Sequence, residues 1–346
     1  MDVDLRKVPE APEFRQFRSC AVASVAKGLR IFHLNGDAVE RYLGELEARQ
    51  PGFFGDGYNI VYPAWELPRY LDAWSRQLDR FDEVWTATAF VHETLKHCLS
   101  VPVLSLRNAC EPEITATLDR SHFGLPENRY LILFSFDLMS FAARKNPWAT
   151  IESFRKLTVA RPQSKAHLVL KLNHPNAGTE TIRQVHEMTA DIKERVTVIA
   201  ATMTNNEARN LTRCCDCYIS LHRSEGFGRG PAEAMFFGKP AIATGWSGNM
   251  EYMTGENSFP IRYKLVPVRE GEYWLFEDQV WAEADSDHAA EVLVRLIDDP
   301  DHGQRVGERG REFMLRHFSD EVLGRAYRQR LSAITASGAV RGSRPI

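Results

Sequence analysis

Residues 221–233 read Leu221-His222-Arg223-Ser224-Glu225-Gly226-Phe227-Gly228-Arg229-Gly230-Pro231-Ala232-Glu233. They follow the apolar run Cys217-Tyr218-Ile219-Ser220 and lead into Ala234-Met235-Phe236-Phe237. The spacing predicts a buried strand over 217–221, a glycine loop, and a helix over 230–237 that Pro231 opens. Such a junction presents unpaired backbone N–H groups and the positive end of a helix dipole, so it receives phosphate or sugar oxygens. Gly226 and Gly228 let the main chain approach a ligand closely. The Gly-x-Gly-x-Gly spacing also admits a nicotinamide-dinucleotide reading, but a carboxylate precedes the glycines and a proline follows them.

Outward from this stretch the pattern is regular. Strands are expected at 129–137, 166–173, 196–200 and 240–244. Helices are expected at 146–159, 179–193 and 205–213, with a short helical turn after Gly248. Apolar strands alternating with amphipathic helices imply a parallel sheet covered on both faces. Ligands then bind in the loops at the carboxyl ends of the strands, here after Asp137, Asn173, Ala200, Leu221 and Thr244.

The first 125 residues show a second alternation, with strands at 29–34, 58–62, 83–87 and 101–106. Helices at 38–49, 68–80 and 89–98 separate them. After residue 288 the chain turns helical, at 289–297, 303–317 and 319–334. The arginines there are interleaved with acids, as on a solvated, salt-bridged face. The expected architecture is α/β, with two Rossmann-like domains at 1–125 and 126–315. A C-terminal helix at 316–336 crosses back to the first domain, and a disordered tail occupies 337–346.

The bulk properties agree with this picture and remove some alternatives. A chain of 346 residues with 44% hydrophobic and 26% charged residues is ordinary for two soluble domains. A net charge of −3 gives no reason to expect nucleic acid as a partner. No run approaches the ~20 apolar residues of a membrane span, and the N-terminus lacks the apolar core of a signal peptide. The six cysteines form no disulfide framework, and the cytoplasm is the expected setting. Cys214 and Cys217 have Cys-x-x-Cys spacing without a second ligand pair, so they read as packing groups at a helix end and strand start.

Glu225 at the loop mouth and Glu233 near the helix start can face one pocket. Carboxylates that accept paired hydrogen bonds from vicinal hydroxyls are what a ribose or hexose needs.

The block Ser-Glu-Gly-Phe-Gly-Arg-Gly-Pro-Ala-Glu-Ala-Met at 224–235 continues as Phe-Gly-Lys-Pro-Ala-Ile-Ala-Thr at 237–244 and Ser-Gly-Asn-Met-Glu at 247–251. It resembles the retaining glycosyltransferases of family 4, whose GT-B fold sets two Rossmann-like domains across a cleft. The resemblance implies that Glu225 holds donor-sugar hydroxyls and Glu233 the nucleotide ribose. The amides of Gly226, Phe227 and Gly228 would line the sugar and phosphates, with Ser247, Gly248 and Asn249 as the neighbouring wall. GT-B enzymes hold the donor diphosphate with side chains, so no cofactor and no metal is expected beyond the nucleoside-diphosphate sugar itself. Arg144 and Lys145, in the loop after the strand at 129–137, are the expected clamp. The family often has an Arg directly after that strand, where this chain has Phe136-Asp137, and Arg144 takes the duty. Arg223 is a third candidate cation.

In the first half, Tyr62-Pro-Ala-Trp-Glu-Leu-Pro68 and the stretch at 81–90 resemble one subgroup of the same family. His33, Asn35 and Asp37 follow a strand and are candidates to face the acceptor. Trp65 and Glu66 suit a sugar platform with a carboxylate beside it; core packing for Trp65 and helix capping for Asn35 and Asp37 stay open. Residues 1–27 stand where the family has a strand and glycine-rich loop, so the N-terminal domain is expected to be abbreviated.

The expected reaction is transfer of a hexose to a hydroxyl of a glycan or glycolipid, with retention and with peripheral contact at the inner membrane face. The rival is a non-catalytic sugar-nucleotide-binding or scaffold subunit of a glycan-assembly complex.

Overall fold

The computed structural model describes residues 28–338, apart from Asp56 and Trp274. The expectations for residues 1–27 and for the tail from residue 339 lie outside the described residues.

The first unit is a parallel sheet of β1 (Leu29–Phe32), β2 (Tyr58–Val61), β3 (Glu83–Thr86) and β4 (Val103–Ser105), in that spatial order. Parallel neighbours need crossover connections, and α1 (Gly36–Arg49), α2 (Asp72–Leu78) and α3 (Ala89–Lys96) supply them. Thr88 caps α3 by accepting from Val91 N.

The second unit is larger. Its elements are β5 (Tyr130–Asp137), α4 (Ala142–Lys145), α5 (Pro147–Ala160), β6 (Ala166–Asn173), α6 (Thr179–Thr189), β7 (Val196–Ala200), α7 (Asn205–Cys214), β8 (Cys217–Ser220), α8 (Arg229–Phe236), β9 (Ala241–Thr244) and β10 (Phe259–Ile261). The six strands are parallel in the order β10-β9-β8-β5-β6-β7. Chain order therefore reverses between β5 and β8, and the loops after those two strands diverge to open a crevice. β5 and β6 pair in full register from Tyr130↔Ala166 to Asp137↔Asn173, and both are apolar because helices cover the two faces.

Several boundaries differ from the sequence reading for local reasons. The helix expected at 146–159 is found as α5 at 147–160, but an unforeseen single turn, α4, precedes it, parted from it by Asn146 at φ 53°. Asn146 then caps α5 through Ala149 N, with Pro147 as its first residue. The helix expected at 179–193 ends at Thr189 and tightens into a 3-10 turn in which Ile192 leaves helical geometry. α8 begins at Arg229, so Glu233 stands one turn in, beyond the first turn where it was expected.

β10 was not foreseen, nor was the antiparallel hairpin of β11 (Tyr263–Pro267) and β12 (Val280–Ala284). Three helices follow, α9 (Ser286–Asp298), α10 (Pro300–Phe318) and α11 (Asp320–Ala336). α11 crosses back to the first sheet. Tyr327 meets Trp85 edge to face at 5.4 Å, and Arg330 pairs with the fully buried Glu83. Ile60, Tyr62 and Trp85 share one apolar cluster with Phe227, Met235, Tyr252, Phe318 and Ile334, so the two units are joined through a common core.

The C-terminal arginines are largely partnered, as in Arg325–Glu321 and Arg309 to Glu256 O. Cys215 and Cys217 are buried among apolar groups, which pushes both thiols up, and Cys214 donates to Leu118 O at 3.3 Å. Among the described residues, no helix is long and apolar enough to cross a membrane.

Candidate functional site

The crevice between β5 and β8 brings together groups that are 80 residues apart in sequence. The chain after β5 folds into the single turn of α4 and ends on Arg144 and Lys145. The chain after β8 runs through Arg223 and Ser224 to Glu225. Arg223 N donates to Arg144 O at 2.7 Å, which ties the two loops by their main chains. Arg144 then donates to Ser224 O at 2.9 Å and pairs with Glu225 at 3.2 Å, while Lys145 makes a short contact to the other Glu225 oxygen.

Burial alone would raise the Glu225 carboxyl, but Lys145 and Arg144 beside it pull it down to about 2. It is an anion across the ordinary pH range. Burial and the neighbouring Arg144 lower the Lys145 ammonium, and Glu225 offsets this only in part. A second carboxylate reaches Arg144 from across the cleft: Glu66 Oε1 lies 3.6 Å from Arg144 Nη2. The Arg144 Nε is buried without an acceptor.

The loop carrying Glu225 is held from three sides. Gly228 caps α8 with φ 85°, a left-handed geometry that a side chain would strain. A Cβ on Gly248 would lie 2.1 Å from Gly226 O, so the Ser247–Asn249 wall can close on the loop only with glycine there. Gly248 N donates to Glu225 O at 2.8 Å, and Glu225 N donates to Ser247 Oγ at 2.9 Å. From the first unit, Thr88 Oγ1 donates to Gly226 O at 2.9 Å, and Ser224 Oγ donates to Glu66 O.

Beneath the loop lies a polar network that the sequence reading missed. Asn249 Nδ2 donates to Thr244 O at 2.9 Å, which turns its Oδ1 toward His222 Nε2, 3.0 Å away. Nε2 must then carry the hydrogen, and Nδ1 accepts from Ser220 Oγ at 3.0 Å. His222 is fully buried, and burial lowers it to about 4. An unfolded histidine takes its proton near pH 6.5. Between these values the unfolded chain binds the extra proton, so this group's contribution to stability is complete above about pH 6.5 and is lost as pH falls through 4. The shift corresponds to about 3 kcal/mol. Urea unfolding at pH 7 and pH 4.5 should therefore show a steeper acid loss for the wild type than for His222→Gln. Equal losses in the two proteins would remove His222 as the source.

Other anticipated residues are placed as follows. Glu233 pairs with the exposed Arg229 at 3.1 Å and keeps a partly open carboxylate on the same side of α8. Phe227 turns its ring into the core against Tyr252 and Phe318, so only its main chain is left for a ligand. Arg223 is not a third cation for the crevice. Its guanidinium is held by Glu283 at 2.6 Å and Glu272 at 3.7 Å and stacks over Trp281, because the unforeseen hairpin packs there.

Trp65 is not a platform. It is 1% exposed, packed edge to face on Tyr70 and Trp74, with its indole N–H on Arg69 O. Its main chain instead faces Gly226, where a Cβ would meet Trp65 O at 2.5 Å. Glu66 reaches the Arg144 side of the cleft and accepts from Tyr273 Oη at 2.9 Å. His33 is exposed and stacks on Tyr62, and Asp37 is exposed in the first turn of α1. Asn35 precedes α1 without capping it through its side chain, which accepts from Ala64 N instead.

Tyr273 and Glu283 were also missed. They sit on or between the hairpin strands, and Val280-Trp281-Ala282-Glu283-Ala284 carries no clean alternation that would have announced a strand.

The family model for glycosyl transferases group 1 matches residues 117–259. No significant match was found among curated proteins. Among solved structures, HepE of Anabaena in complex with UDP and glucose superposes with a TM-score of 0.64 at 15% identity, covering 88% of this chain and 78% of that one. Sucrose-phosphate synthase from Thermosynechococcus elongatus gives 0.64 at 16% identity, covering 92% and 77%. A glycosyltransferase from Rickettsia africae gives 0.61 at 14% identity, covering 88% and 81%. Identities this low speak to the fold alone, and that fold is GT-B, two Rossmann-like units with parallel sheets across a cleft. The segment that resembles glycosyl transferases group 1 is thus the part of the GT-B architecture that carries Arg144, Lys145, Glu225 and Glu233.

Proposed function

We propose that this chain is a glycosyltransferase that moves a hexose from a nucleoside-diphosphate sugar to a hydroxyl of a glycan or glycolipid. The observation that carries this reading is the meeting of Arg144, Lys145 and Glu225 at the crevice between β5 and β8. A parallel sheet places its ligand there. The two cations neutralise charge that develops on the diphosphate as the bond to the sugar breaks. Glu225, held ionised, accepts hydrogen bonds from sugar hydroxyls, and Glu233 from the ribose. Leaving-group stabilisation of this kind needs no metal. Retention at the anomeric carbon is part of the proposal by family resemblance. The proposed route is donor-side ionisation, with the charge of the departing diphosphate held by Arg144 and Lys145.

UDP-sugars are the first donors to try, because HepE was solved with UDP and glucose. A thermal-shift panel of nucleoside diphosphates and their sugars is expected to raise the melting temperature for one base, and NAD is expected to have no effect. Mass spectrometry should then detect slow hydrolysis of the matching donor. Binding without turnover, even with candidate acceptors present, would favour the non-catalytic subunit. Absence of any nucleotide-sugar binding would end the donor reading.

A further inference from the structure

Arg144 lies between two carboxylates that come from opposite sides of the cleft. Glu225 reaches it at 3.2 Å and Glu66 at 3.6 Å. The second distance is too long for a hydrogen bond, so Glu66 holds Arg144 by charge alone. The Glu66 side chain is also the more exposed of the two, at 22% against 13%. Its main chain is pinned by Ser224 Oγ and its second oxygen by the Tyr273 hydroxyl. The carboxylate can therefore leave Arg144 without moving the backbone that supports Glu225.

The charges explain why it should leave. Arg144 and Lys145 face Glu66 and Glu225, so the cluster is neutral as it stands. A diphosphate ester brings one further negative charge on each phosphate. Added to a neutral, largely buried cluster, that charge finds no net attraction to offset its desolvation unless a carboxylate withdraws. Glu225 has two short cationic partners and cannot yield cheaply. Glu66 has one long cationic contact and the Tyr273 hydroxyl, and it is partly exposed to solvent.

We propose that Glu66 is a positioning residue that holds Arg144 as a counter-charge and gives it up when the donor diphosphate arrives. It orders the guanidinium in the cleft at some cost in diphosphate affinity. This rests on the reading of Arg144 and Lys145 as the diphosphate clamp.

Calorimetric titration of UDP, GDP and inorganic pyrophosphate into the wild type, Glu66→Gln and Glu66→Ala tests it. Both variants keep the main-chain bond from Ser224, and melting curves establish that each is folded. Each substitution is expected to lower the Kd for pyrophosphate and for the bound nucleotide about fivefold, the upper end for a long, solvent-touched charge pair. The gain should shrink at high salt. Unchanged or weaker binding in both variants overturns the proposal, since an acceptor contact or a packing role gives no gain in phosphate affinity. Absence of pyrophosphate binding in all three proteins also overturns it. If pyrophosphate binds with the expected gain but no nucleoside diphosphate does, the counter-charge role stands and the nucleotide-sugar reading fails.

Discussion

Glu225→Gln is expected to lower turnover about 10²–10³-fold, the scale of losing one preorganised electrostatic group, while tightening the hold on a nucleoside diphosphate. The amide keeps the size of the side chain and still offers an oxygen to Lys145. It removes the negative charge that strengthens hydrogen bonds from the sugar hydroxyls. It also changes the cluster from two cations facing two carboxylates to two cations facing one. Turnover and diphosphate affinity should therefore move in opposite directions. Glu225→Ala is a harsher probe. It leaves two buried cations without their shared partner, a loss on the order of 3–5 kcal/mol. Its melting temperature should drop, and added pyrophosphate should restore part of it. Donor hydrolysis and nucleotide Kd measured on the glutamine variant decide the matter. Turnover within a few-fold of wild type would take Glu225 out of the chemistry, and weaker diphosphate binding would mean that its charge does not oppose the ligand.

The alternation of apolar runs and amphipathic helices from residue 129 onward made the second sheet legible, because strands buried on both faces must be apolar throughout, as β5 and β6 are. Arg144, Lys145 and Glu225 could be placed on one edge of that sheet from chain order alone. Their pairing could not, because it depends on α4 and on the left-handed Asn146 that turns the chain into α5. The hairpin was illegible for a different reason. β11 is exposed along most of its length and carries no strong pattern, yet its partner β12 buries Trp281 and captures Arg223. Trp65 shows the limit of residue type as a guide. A tryptophan beside a glutamate suits a sugar platform, but here the ring fills the core and the main chain does the contacting. Glu66, its neighbour, is expected from the sequence to face the acceptor, whereas in the structure it pairs with Arg144.

Glu83→Ala is expected to cost about 3–5 kcal/mol of folding stability, the range for breaking a buried ion pair by removing one partner. Glu83 sits in β3 with no exposed surface, and three donors converge on it: Tyr58 Oη at 2.6 Å, Trp85 Nε1 at 2.8 Å and the guanidinium of Arg330 from α11. Alanine would leave a phenol, an indole N–H and an arginine without their acceptor beneath a helix that covers them. The same cluster is one of the ties between the C-terminal helix and the first sheet, so its loss should loosen α11 before the second unit responds. Limited proteolysis should then cut within 320–336 sooner than in the wild type. Glu83→Gln keeps an acceptor oxygen and should cost less. Burial alone would raise the Glu83 carboxyl, but the bonds from Arg330, Tyr58 and Trp85 outweigh it and lower it. The stabilisation is accordingly present above the usual carboxylate range and lost as pH falls below it, through the depressed folded value. Urea midpoints at pH 7 measure the cost, and their convergence between wild type and variant in acid checks its origin. A loss under about 1 kcal/mol at pH 7, the value of an ordinary surface pair, would show that α11 is held by its apolar contacts and not by this carboxylate.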